Sequence, residues 1–265
     1  MDILPARYRR PLAKLERLDF LHTLVSMHWQ SFLDDIESLC GGEAAFPALA
    51  HLSVGFDASK YTRRLRIWPE SIPRLFTHVP SLHSFKAYGP MLHHVDLPRC
   101  LGPVGHHLSK LDLLWDFWEV FEGEYYDYYD HDEEEEEARP NHVSNTLTQF
   151  KSLRLEALED LSLTIKLAAA VCVDFDSAKR LATIMREFRG LVNKDSFPSL
   201  QTAHVKISMM IFRKLEEDNP DEEEPYVQKA RAPLNDCLRE FVVDQRITYS
   251  WDVDVYSRAH TDERL

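Results

Sequence analysis

The residues best equipped for chemistry in this chain are its histidines, its carboxylates and its four cysteines. Thirteen histidines include the adjacent pairs His93-His94 and His106-His107. A structural metal needs about four ligands converging on one point. Adjacent side chains diverge on either a helix or a strand. Neither pair has a Cys, an Asp or a third His at ligand spacing, so no metal is expected. Cys40, Cys100, Cys172 and Cys237 lie far apart with no CxxC pair, which reads as free thiols in a reduced interior. No GxSxG elbow, phosphate-cradling GxxxxGK[ST], HExxH or GxGxxG is present. No cofactor is therefore expected, and the chain reads as a non-enzyme. A hydrolase or transferase would have to assemble its site from residues distant in sequence.

The carboxylates are concentrated. Glu119 to Arg139 holds four tyrosines, Tyr125, Tyr126, Tyr128 and Tyr129, ahead of the run Glu133 to Glu137. Like charge at that density opposes compact folding, so an acidic disordered loop is expected over 119–139. It lacks the alternating Asp-x-Asp-x-Asp-Gly order of a calcium loop. A second acidic loop is expected over 216–225, around Pro220. The formal net charge of -13 excludes a nucleic-acid backbone or an anionic membrane surface as the main partner. A basic protein surface, gripped by the tyrosines and attracted by the glutamates, suits it better.

The elements that must position any site are set by an internal repeat. Three segments share nine positions: Phe46-Pro-Ala-Leu-Ala-His-Leu-Ser-Val, Val79-Pro-Ser-Leu-His-Ser-Phe-Lys-Ala and Phe197-Pro-Ser-Leu-Gln-Thr-Ala-His-Val. Copies without the proline occur at Leu12 to Phe20, Leu108 to Leu113 and Leu155 to Leu163. Leu-x-x-apolar leads the chain into a short strand, and the apolar-x-apolar tail points every second side chain inward. One such strand cannot bury itself, but a stack of them shares a continuous core. Pro47, Pro80 and Pro198 precede the strands, where a missing N–H costs no ladder bond.

Between the strands lie helical periodicities. Trp29, Phe32, Leu33, Ile36 and Leu39 mark a helix from His28 to Cys40 that Gly41-Gly42 stops. Ile72, Leu75, Phe76 and Val79 mark a shorter one after Ser71, and Asp176 to Asn193 is the clearest, with Leu181, Ile184, Met185, Phe188 and Leu191 on one face. Tyr226 to Val243 is helix-like but interrupted by Pro233, and the alternation of Ile247, Tyr249, Trp251, Val253 and Val255 predicts a terminal strand over 246–255. The repeat leucines Leu15, Leu49, Leu82, Leu108, Leu158 and Leu200 are spaced by 34, 33, 26, 50 and 42 residues, with the acidic run in the longest gap.

Six or seven strand-helix units in one domain over 1–265 predict an α/β solenoid, a horseshoe with parallel strands on the concave face and helices on the convex face. The uneven units, with strands of the FPxLxxLxL kind, resemble the irregular leucine-rich repeats that follow the F-box in fungal F-box-type proteins, over about Leu12 to Val255. The asparagine ladder of standard repeats is absent. Ile3-Leu4-Pro5 is the one trace of an F-box start, and no helical Leu-Pro-x-Glu segment precedes the first repeat. The resemblance implies a substrate-recognition subunit that docks on the adaptor of a cullin-type ubiquitin ligase.

Solenoids bind with the outward positions of their strands. Those are Asp19, Ser53, Lys86, Asp112, Ser162 and His204, flanked by Tyr88 and Lys206 and by Arg17, His51, Ser84, Lys110 and Asp160. A protein partner on that face is the expected function. With no signal-peptide-length apolar core at the N-terminus and no apolar run of about 18 residues, the expected location is the cytosol or nucleus.

Overall fold

A computed structural model describes residues 12–20, 26–55, 68–89, 92, 95–116, 149, 152–170, 192, 195–214, 231–232, 235–236, 239 and 248–260. Both acidic runs, the pair His93-His94 and, apart from Val192, the expected helix Asp176 to Asn193 lie outside these residues, as do Cys172 and Cys237.

In chain order the elements are β1 (Arg17–Phe20), α1 (Ser26–Cys40), β2 (His51–Gly55), α2 (Trp68–Thr77), β3 (Ser84–Gly89), α3 (Leu97–Leu101), β4 (Lys110–Asp116), β5 (Asp160–Ala170), β6 (Thr202–Lys214) and β7 (Thr248–His260). The seven strands form one sheet in the order β1-β2-β3-β4-β5-β6-β7. Every pairing is parallel. The six segments expected as strands from the repeat are the first six of these, and the terminal strand begins at Thr248 rather than 246 and runs on to His260. The first three crossovers carry α1, α2 and α3, so strands alternate with helices there.

The repeat acts first as a turn. The carbonyl of Phe46 accepts from the N–H of Leu49 at 3.1 Å, Val79 from Leu82 at 3.1 Å and Phe197 from Leu200 at 3.1 Å. Leu12 and Leu15 repeat the bond at 3.2 Å, and Leu155 and Leu158 at 3.3 Å. Before β4 the turn is one residue longer, from Val104 to Leu108 at 3.0 Å. Proline at the second position of such a turn presets φ and lacks only an N–H that the turn does not use. Pro47, Pro80 and Pro198 occupy it, and all three are exposed.

Each turn also pins its unit to the one before. Glu16 O accepts from both Ala50 N and His51 N, Ala50 O from His83 N and Ser84 N, and His83 O from Ser109 N and Lys110 N. Ser109 O and Glu159 O continue the pattern toward β5 and β6. Stacking in sequence order follows, because the backbone that starts one strand satisfies the backbone that starts the next.

Three columns of side chains then face one way. Leu49, Leu82, Leu108, Leu158 and Leu200 are fully buried. Leu52, Phe85, Leu111, Leu161 and Ala203 form the second column, and Val54, Ala87, Leu113, Leu163 and Val205 the third. The helices add Leu33, Ile36, Ile72, Leu75, Phe76, Leu97 and Leu101 to the same core. Phe76 meets Phe85 edge to face, with ring centroids 5.1 Å apart. Gly41, at φ +59°, ends α1 in the left-handed conformation that glycine adopts without a Cβ penalty. Asp96 caps α3 by accepting from the Arg99 N–H at 3.0 Å.

α1 starts at Ser26 and α2 at Trp68, earlier than the apolar stripes alone indicate. Pro69 in the first turn of α2 costs no helical hydrogen bond, so the helix can begin before its apolar face does. No described helix is long and apolar enough to cross a membrane.

Candidate functional site

The face of the sheet opposite the core is polar. Because side chains alternate along each strand, Leu52 and Val54 facing the core put His51 and Ser53 on the other side, and the parallel register repeats this from strand to strand. Asp19, Ser53, Lys86, Asp112, Ser162 and His204 therefore stand opposite one another across β1 to β6 in a single row. Their spacing is set by the strands, about 4.8 Å from one to the next. The row toward the strand starts reads Arg17, His51, Ser84, Lys110, Asp160, Thr202 and Thr248. The row on the other side reads Gly55, Tyr88, Leu114, Thr164 and Lys206 from β2 to β6. All eight side chains expected to bind a partner lie on this one face, and each is exposed or half-buried.

Neighbours on the face are already paired. Lys86 Nζ lies 3.4 Å from Asp112 Oδ2, its direct cross-strand partner. Arg17 Nε donates to Asp19 Oδ2 at 3.0 Å, two residues along β1. Thr202 Oγ1 donates to Asp160 Oδ1, again directly across the ladder. Exposed pairs of this kind contribute roughly 0.2–1 kcal/mol each to stability. Their larger consequence is order, because they hold polar groups in fixed positions before any partner arrives.

Leu114 breaks the polar pattern. It is half-buried on the open face, directly opposite Tyr88 on β3, and β4 is the middle strand of the seven. An apolar and aromatic pair beside the Lys86–Asp112 ion pair combines the kinds of side chain found at interface anchors and their rims. Leu114 was not identified from the repeat, since the run Leu113-Leu114-Trp115 has no apolar-polar alternation. The signal was present in the spacing, because Leu114 stands three residues after Leu111 just as Tyr88 stands three after Phe85.

His106 and His107 do not diverge as expected for neighbours in a helix or strand. They sit in the turn ahead of β4, with ring centroids 4.0 Å apart and tilted by 45°. His107 also meets His83 at 6.3 Å, and His83 Nδ1 donates to the His107 carbonyl at 3.0 Å. Among the described residues no group of three or more His, Cys, Asp or Glu side chains could hold a metal ion.

On the helical side, Arg74 of α2 donates to both carboxylate oxygens of Glu37 on α1, at 3.0 and 2.7 Å, and to Asp34 at 2.8 Å. These hydrogen bonds hold the Glu37 carboxyl below the usual carboxylate range, against a smaller opposing effect of burial. The buried His78 ring lies 3.7 Å from Glu37, beyond hydrogen-bond reach. Cys100 is fully buried and carries no disulfide, and burial pushes its thiol up to about 12. Cys40 is half-buried. The Arg74 bridge joins α2 to α1, whose apolar side chains belong to the core.

Comparison of the chain with family models, curated proteins and solved structures gives no match.

Proposed function

We propose that the protein is a non-enzymatic interaction module that binds a protein partner across the open face of its sheet. The observation that carries this is the continuous polar row Asp19–His204, held on six adjacent parallel strands, with Tyr88 and Leu114 in the neighbouring row beside its centre. In this proposal the turn-strand-helix units curve as a leucine-rich-repeat-like solenoid, with the polar face on the concave side. A curved sheet presents its rows to one partner at once, and pre-paired side chains lose little freedom on binding.

Site-specific photo-cross-linking in the native cell tests the proposal. A photoreactive residue at Ser162 should trap a partner, whereas one at Ser38, exposed on α1, should not. Equal trapping from both positions would reject the face as the binding surface. The same turn-and-strand units carry the resemblance to F-box-type repeats. On that second reading the trapped protein is a ligase substrate, and the ligase adaptor is recovered beside it.

A further inference from the structure

Six residues open or immediately precede β2, β3 and β4, namely Ala50, His51, His83, Ser84, Ser109 and Lys110, and none is a carboxylate. The turn ahead of β4 adds His106 and His107, and the four imidazoles and Lys110 are all exposed. On a chain of net charge -13 such a strip is the exception. Carboxylates bound it on both sides, with Glu16 before β1 and Glu159 and Asp160 at the start of β5. Arg17 stands on the β1 side, and the Lys86–Asp112 pair one row further in neutralises itself.

Three of the imidazoles are also close together, with ring centroids 4.0 Å apart at His106 and His107 and 6.3 Å apart at His107 and His83. His83 commits its Nδ1–H to the His107 carbonyl, so Nε2 is the ring nitrogen left to face a ligand. Like charges this close disfavour one another unless an anion lies over them.

We propose that the partner of the open face is an acidic peptide segment, whose carboxylates dock on this β2–β4 strip of imidazoles and Lys110 and bind more tightly as pH falls. This rests on the face-binding reading above and adds the chemistry of the partner. Imidazoles in general gain charge between about pH 8 and pH 5, whereas glutamate side chains stay mostly ionised there. A pH dependence across that range therefore belongs to the protein and not to the peptide.

The probe is a labelled octaglutamate peptide, with binding read by fluorescence anisotropy on the full chain. Each exposed ion pair is worth up to about fivefold in affinity, so gaining two or three imidazolium contacts should tighten binding by between about twofold and about a hundredfold from about pH 7.5 to about pH 5.5. His51→Gln with His83→Gln removes two of the four imidazoles and should roughly halve that ratio on a logarithmic scale. Lys110→Ser, at an exposed site that leaves folding intact, should weaken binding at both pH values and keep the ratio. A ratio below about twofold, a ratio undiminished in the double glutamine variant, or tighter binding of an octalysine peptide would overturn the proposal.

Leu114→Arg separates this from the face reading, because it blocks the apolar centre without removing a cation from the strip. Loss of the cross-linked partner in that variant, beside a missing octaglutamate ratio, rejects the acidic-peptide proposal alone. An unaffected partner beside an intact ratio rejects the face reading and leaves the strip as an anion site.

Discussion

Replacing Phe85 with alanine removes the ring that ties the sheet to the helical layer. Phe85 is 1% exposed and stands edge-on to Phe76 of α2, at 5.1 Å and an interplanar angle of 84°. Truncating such a core ring costs about 3–5 kcal/mol. About 0.5–1.5 kcal/mol of that belongs to the aromatic pair itself. Phe85→Leu keeps much of the volume and loses the pair, so it should cost about 1–2 kcal/mol. Lys86→Ser, at the next residue, should cost at most about 1 kcal/mol, since Lys86 is 51% exposed and loses one ion pair. Urea unfolding followed by tryptophan fluorescence gives each value from midpoint and slope. If Lys86→Ser proved more damaging than Phe85→Ala, the register would be shifted by one residue and the polar and apolar faces exchanged.

Glu37 yields a pH signature. Its folded pKa is depressed, mainly by the hydrogen bonds from Arg74, so its contribution is present above the unfolded value and lost as pH falls through the folded one. Arg74→Met should flatten the acid limb of the stability profile below the ordinary value of 4.5, by less than about 1 kcal/mol for so exposed a pair, as read from urea midpoints against pH. Cys100 should resist iodoacetamide in the native protein at neutral pH and react as soon as the chain unfolds, which peptide mass spectrometry resolves. Pro80→Ala should lower stability by about 0.4–1 kcal/mol in thermal unfolding, through the freer unfolded turn. Changing Glu133 to Glu137 into glutamine should shift stability by no more than about 0.5 kcal/mol, because a run of glutamates offers no apolar surface to a core.

The strand positions and their order were legible because one nine-residue pattern specifies both the turn and the strand. Phe46, Val79 and Phe197 supply the turn carbonyl, Leu49, Leu82 and Leu200 close it, and the alternation that follows settles which side chains face the core. The outward residues Lys86, Asp112 and His204 were legible by the same alternation. Leu114 was not, since three apolar residues in a row carry no period-two signal until the neighbouring strand fixes the register. The contact of His106 with His107 was missed because a turn, unlike a helix or strand, can bring adjacent side chains together. The Arg74 bridge to Glu37 and Asp34 spans two helices separated by a strand, and local periodicity says nothing of partners so far apart in sequence.

The central claim, that the open polar face binds the partner, is tested most directly by measuring the affinity of the cross-linked partner for Leu114→Arg beside Ser38→Arg. An arginine in the centre of a docked face places an unpaired charge in an apolar contact. That should weaken binding at least about thirtyfold, corresponding to about 2 kcal/mol, while the same change on α1 leaves it within about twofold. Equal affinities for the two variants, with both folded to the same unfolding midpoint, would contradict the assignment of recognition to this face.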